Sequence, residues 1–160
     1  MKVTYLTYRE LPVGPNSGVI RTQVLDLLDS LKKDKRDFKV DWCCFIRQRD
    51  MAQYNNQFRD LASNYSGGST FKINIIPLYM PYPVMAYGEL FLHVVLHVLL
   101  KTPDILHCRS YITTFLANIA KKMVLSRARI IFDARGVYPE EQAQAHLLPG
   151  HSRHYKLLKV

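Results

Sequence analysis

Apolar positions along the chain recur with two periods, and the periods take turns. Residues 3–8 are a run of β-branched and aromatic side chains without a breaker and predict a strand. A loop rich in proline and glycine covers residues 11–18. Asn16 or Ser17 can cap a helix there, and Ile20, Val24, Leu27, Leu28 and Leu31 give it one apolar face up to the charged run 32–37. Residues 38–46 predict a second strand. Residues 50–65 predict a more polar helix, broken by Ser66-Gly67-Gly68-Ser69. A third strand, 71–76, should stop at Pro77. An apolar helix follows over about 85–101, then a fourth strand at 105–108. A helix at about 111–125 has Ile112, Phe115, Leu116, Ile119 and Met123 as its expected inner face, and 129–133 predicts a fifth strand.

Strand and helix thus alternate, with short loops between them. That pattern argues for an α/β fold: a Rossmann-like, doubly wound parallel sheet of about five strands with helices on both faces. Right-handed crossovers make 3-2-1-4-5 the expected strand order. The winding then reverses between strands one and four, and ligands of such sheets bind past the carboxyl ends of the strands beside that reversal.

At 160 residues the chain suits one domain, and 48% apolar residues suffice for a buried core. The formal charge of +9 invites nucleic acid, anionic lipid or a phosphorylated ligand. The cations, however, are spread in small groups, such as Lys121, Lys122, Arg127 and Arg129, that fall where helices should end and complement their dipoles. No nucleic-acid motif or aromatic-basic stripe accompanies them. Cys43, Cys44 and Cys108 lie in strand-like stretches without CxxC spacing and read as buried thiols in a reducing compartment. The opening MKVTYLTYRE has no signal-peptide core, so a cytoplasmic location is expected. The uninterrupted apolar part of 84–100 is shorter than the roughly 20 residues a bilayer demands. It reads as a buried helix, with a membrane-touching helix as the alternative.

Candidate chemistry gathers in the loops after strands one, four and five. In the first, Gly14 and Gly18 would let the backbone approach a ligand, and the helix start beyond them attracts anions. The spacing is neither GxGxxG nor GxxxxGK[ST], which argues against dinucleotide or ATPase sites; a plain capped turn is the other reading. After strand four, His107 and Arg109 share a face. The histidine could bond a sugar hydroxyl or move a proton, and the arginine could clamp phosphate or carboxylate. A core histidine satisfied by backbone is the alternative for His107. After strand five come Asp133 and Arg135, a pair that could instead be a structural salt bridge. His93 and His97 stand one helical turn apart without the glutamate of HExxH, so no metal site is expected there.

DILHCRSYITTFLANIAKK followed by RARIIFDARGVYPEEQA resembles the N-terminal domain of the family-four retaining glycosyltransferases. VTYLTY and PVGPNSGVIR are similar to the same family's first strand and glycine-containing loop, so the likeness runs along essentially the whole chain. The resemblance implies the GT-B architecture of two Rossmann-like domains facing a cleft. The N-terminal one holds a sugar or lipid-linked acceptor, and the C-terminal one holds a nucleotide-sugar as co-substrate. It implies transfer with retention and no metal bound by an Asp-x-Asp motif, which is absent here. His107 would contact the acceptor or the reacting sugar; Arg109 and Arg135 would steady negative charge, and Asp133 would orient Arg135. Many members carry His-x-His after strand four. Arg109 stands at the second of those positions, which points to an anionic acceptor.

Residues 142–160 resemble the helix leading to a sixth strand in that family, so the donor domain is expected to be missing and the chain alone to be inactive, because donor and acceptor must be held together for transfer. Docking of the basic groups to an anionic membrane surface is compatible with this reading. The alternative is a non-catalytic Rossmann-like module that binds a nucleotide or a protein.

Overall fold

The computed structural model describes residues 1–10, 12–13, 24, 39–66 and 71–134. Within them lie β1 (Lys2–Tyr8), β2 (Lys39–Arg47), α1 (Gln48–Gln53), α2 (Asn55–Ser66), β3 (Phe71–Leu78), α3 (Pro83–Lys101), β4 (Ile105–Arg109), α4 (Tyr111–Met123) and β5 (Arg129–Asp133). The expected helix between residues 16 and 31 and the segment 142–160 fall outside the described residues.

The strands form one all-parallel sheet in the order β3-β2-β1-β4-β5, the expected Rossmann-like topology. The central strands earn their places by composition. In β1, Thr4 through Tyr8 are all buried, and in β2, Trp42 through Ile46 are. Such uninterrupted burial belongs to strands covered on both faces. One face packs Leu6, Phe45, Leu106 and Cys108 under α3 and α4. The other packs Tyr5, Trp42, Ile46 and Ile73 with Phe58 of α2 and with Val13 and Val24. The Trp42 indole donates to Thr7 Oγ1 at 2.9 Å, so its buried N–H is satisfied.

Three local expectations are corrected. Pro77 does not stop β3. It pairs with Ile46 inside the strand, which it can do because β3 is at the sheet edge and needs no N–H there. The polar helix is two helices, parted at Tyr54 (φ −118, ψ 21). The inner face of α4 is Thr113, Leu116, Ala117 and Ala120, whereas Phe115 and Met123 are 65% and 62% exposed. Small side chains let α4 sit close to the sheet, and the Thr113 hydroxyl donates to the Arg109 carbonyl at 2.8 Å, turning that side inward.

α3 begins with Pro83 in its first turn and ends at Thr102 in the left-handed region (φ 44). Between β3 and α3 the chain is clasped by Glu89. Its carboxylate accepts from the Tyr79 N–H at 2.9 Å and from the Met80 N–H at 3.0 Å.

Candidate functional site

Parallel pairing sets Tyr5 beside His107, Thr7 beside Arg109, and Arg109 beside Asp133. Side chains alternate along strands, so Tyr5, His107, Arg109 and Asp133 all stand on the face turned away from α3 and α4. They lie toward the carboxyl ends of β1, β4 and β5, next to the β1–β4 reversal. Arg9 follows β1 at φ 58, with its N–H donating to the Phe45 carbonyl at 2.8 Å, and this turn brings Glu10 over the same spot.

Arg109 is the centre of the group and is only 1% exposed. Its Nε lies 2.7 Å from Glu10 Oε2, and its Nη1 donates to Asp133 Oδ2 and to Tyr5 Oη, each at 3.1 Å. The Tyr5 hydroxyl donates in turn to Asp133 Oδ2 at 3.2 Å. Burial works against the guanidinium charge, but the hydrogen bond to Tyr5 and the charges of Glu10 and Asp133 outweigh it, so the pKa is raised. Burial pushes the Tyr5 phenol up to about 12 against the pull of Arg109, and the hydroxyl remains a donor. Among the described residues, the two carboxylates Glu10 and Asp133 flank the one guanidinium.

His107 is half-buried, its ring edge-on to Tyr5 with centroids 4.7 Å apart. Burial lowers its pKa, with Asp133 opposing and Arg109 reinforcing the shift, so the imidazole is neutral near pH 7. Among the described residues no group hydrogen-bonds that ring. It therefore offers one donor and one acceptor beside the Asp133 carboxylate, whose side chain is 31% exposed.

The structure thus brings together His107, Arg109 and Asp133. Gly14, Gly18 and Arg135 lie outside the described residues. Arg109, expected to steady negative charge, is a buried guanidinium that pairs with the Glu10 and Asp133 carboxylates and organises the cluster. Asp133, expected to orient Arg135, is bound to Arg109 and Tyr5. Tyr5 and Glu10 went unnoticed in the sequence. The signal for Tyr5 was parity, since it sits opposite His107 in a parallel pair; the signal for Glu10 was a carboxylate just past the first strand.

Other candidate groups are accounted for by packing. His97 Nε2 is 3.0 Å from Thr4 Oγ1, and His93 lies against Phe45. The three thiols are buried and free; burial pushes those of Cys44 and Cys108 up to about 12 and that of Cys43 higher still. On the other side of the sheet an open groove of about 350 Å³ runs between α3 and α4, lined by Tyr87, Tyr111, Ile112, Phe115 and Leu116.

No family model, curated protein or solved structure matches the chain.

Proposed function

We propose that the chain is the acceptor-side half of a retaining glycosyltransferase, receiving a sugar from a nucleotide-sugar held by a second domain. The observation that carries this reading is the placement of His107, which has no hydrogen-bond partner among the described residues, with Asp133 at the carboxyl edge of a parallel sheet, where the winding reverses. Such a pair suits hydroxyl groups. The imidazole can accept a hydroxyl proton or donate to its oxygen, and the carboxylate accepts from a neighbouring hydroxyl. Tyr5, Glu10 and Arg109 act as positioning residues that hold Asp133 in place. The resemblance of the segments after β4 and within β5 to the family-four enzymes supports the same reading.

A test is titration of the chain with a panel of mono- and disaccharides, observed by the His107 ring resonances. Expected are selective shifts for one sugar class, lost in His107→Ala and weakened in Asp133→Asn. Absence of any sugar-dependent shift, together with micromolar binding of free nucleotides, would replace the reading by a nucleotide-binding module.

A further inference from the structure

We propose that the Arg9 and Arg47 guanidiniums seat the phosphate of a phosphate monoester whose apolar group lies in the groove between α3 and α4. This seat is on the α3 side of the sheet, whereas His107 and Asp133 stand on the other, so the inference does not rest on the transferase reading.

The first observation is the placement of the two arginines. Arg47 is the last residue of β2 and pairs with Leu78. It lies two residues beyond Phe45 and so shares the side on which Tyr8, Phe45 and Leu78 are buried under α3. Tyr8 pairs with Phe45, and Arg9 follows it at φ 58, its N–H donating to the Phe45 carbonyl. Both cations thus stand at the carboxyl ends of β1 and β2. Burial and then Tyr87 push the Tyr8 phenol up, while Arg9 and Arg47 both pull it down, so the two guanidiniums act on one hydroxyl. Arg9 is exposed and Arg47 half-buried, and among the described residues neither pairs with a carboxylate. Glu89, the acidic residue of α3, is taken up by the Tyr79 and Met80 N–H groups. Two guanidiniums brought to one place without an anion suit the oxygens of a phosphate.

The second observation is what adjoins them, and it selects the rest of the ligand. The Tyr87 ring of α3 packs against Tyr8, centroids 5.8 Å apart, and also lines the groove with Tyr111, Ile112, Phe115 and Leu116. The groove's volume of about 350 Å³ is that of a small-ligand site. Tyr87 is therefore shared between the apolar groove and the ring on which the arginines act. Both α3 and α4 begin at this end of the sheet with no acidic residue in the first turn, so the positive ends of two helix dipoles add to the arginine field. A wholly apolar ligand would leave the cations unused, and a bare phosphate would leave the groove unused. A phosphate joined to an apolar group engages both.

The test is isothermal titration calorimetry of the chain with hexyl phosphate, inorganic phosphate and 1-hexanol. Expected is binding of hexyl phosphate at least about tenfold tighter than of either of the others, and falling with salt. Arg9→Gln with Arg47→Gln should weaken it by about tenfold or more. Arg9→Lys with Arg47→Lys should keep part of the binding, which separates loss of charge from loss of fold. Phe115→Ser, at a side chain 65% exposed, should reduce the advantage of hexyl phosphate over inorganic phosphate and leave inorganic phosphate binding unchanged. Lys121→Gln with Lys122→Gln, at the far end of α4, should leave all three titrations unchanged. Equal affinity for hexyl phosphate and 1-hexanol, equal losses in the two glutamine pairs, or capture on phosphatidate vesicles without binding of hexyl phosphate would overturn the proposal.

Discussion

The two sides of the sheet treat solvent in opposite ways. On the side of α1 and α2, a guanidinium and two carboxylates sit in or beside the core, and the guanidinium is almost wholly withdrawn from water. On the side of α3 and α4, a buried row and an exposed row of apolar side chains run along the same helix. The first arrangement withdraws charge that hydration would stabilise, and it holds only because each ion has a partner at hydrogen-bond distance. The second leaves apolar surface in water, which costs little fold stability but favours association. The first side thus holds only while its charges stay paired, whereas the second keeps an apolar core beneath a row that is open to association.

The largest effect should follow from breaking the ion cluster. Arg109→Ala leaves Glu10 and Asp133 crowded together without their cation and should destabilise the fold by about 3–5 kcal/mol, read from urea unfolding. Adding Glu10→Gln and Asp133→Asn to Arg109→Met should recover a good part of that loss, because removing all partners leaves no uncompensated charge. Full retention of stability in Arg109→Ala would show that the cluster contributes nothing. Next comes a pair on one helix: Leu90→Ala should cost about 2–5 kcal/mol, and Leu92→Ala, two residues on, no more than about 0.5 kcal/mol. Equal costs would mean that the outer row of α3 is covered.

A smaller effect concerns pH. Burial lowers both His97 and His107 below the ordinary 6.5. The unfolded chain therefore takes up protons on these groups before the folded one does. Their contribution to stability is fully present above 6.5 and declines as pH falls through that value toward the lowered folded pKa. Urea midpoints measured between about pH 7.5 and pH 5 should fall, and His97→Gln, which can still bond Thr4, should make the fall shallower. A modest gain is expected at Ser110, whose φ of 101 and ψ of 157 suit glycine. Ser110→Gly should raise stability by about 1 kcal/mol, relief of strain being partly offset by the freer unfolded chain.

Much of this architecture was legible because β1, β2 and β4 carry runs of apolar, β-branched and aromatic residues and alternate with helix-like segments through short loops, so alternation alone implied the parallel order. Boundaries were legible where a breaker acts on its own neighbours and illegible where tertiary position decides. Pro77 is harmless only because β3 is an edge strand, a fact about the assembled sheet. The α4 face was misjudged because hydrophobicity was taken as the sign of burial, whereas closeness to the sheet selects Thr113, Ala117 and Ala120. At the candidate site, strand parity put His107 and Arg109 on one face in advance, and the end of the fifth strand put Asp133 at the same rim. What stayed hidden was the count of opposing charges around Arg109, since Glu10 arrives through a turn at Arg9 that no local pattern announces.

The Glu89 clasp has a kinetic consequence. Its partners are nine and ten residues away in the chain, so the contact closes without waiting for the sheet. Loops of that length close in about 10–100 ns, far ahead of distant strand pairing. The direction in which α3 sets out is thus fixed by a contact local in sequence, independent of the distant strand pairings.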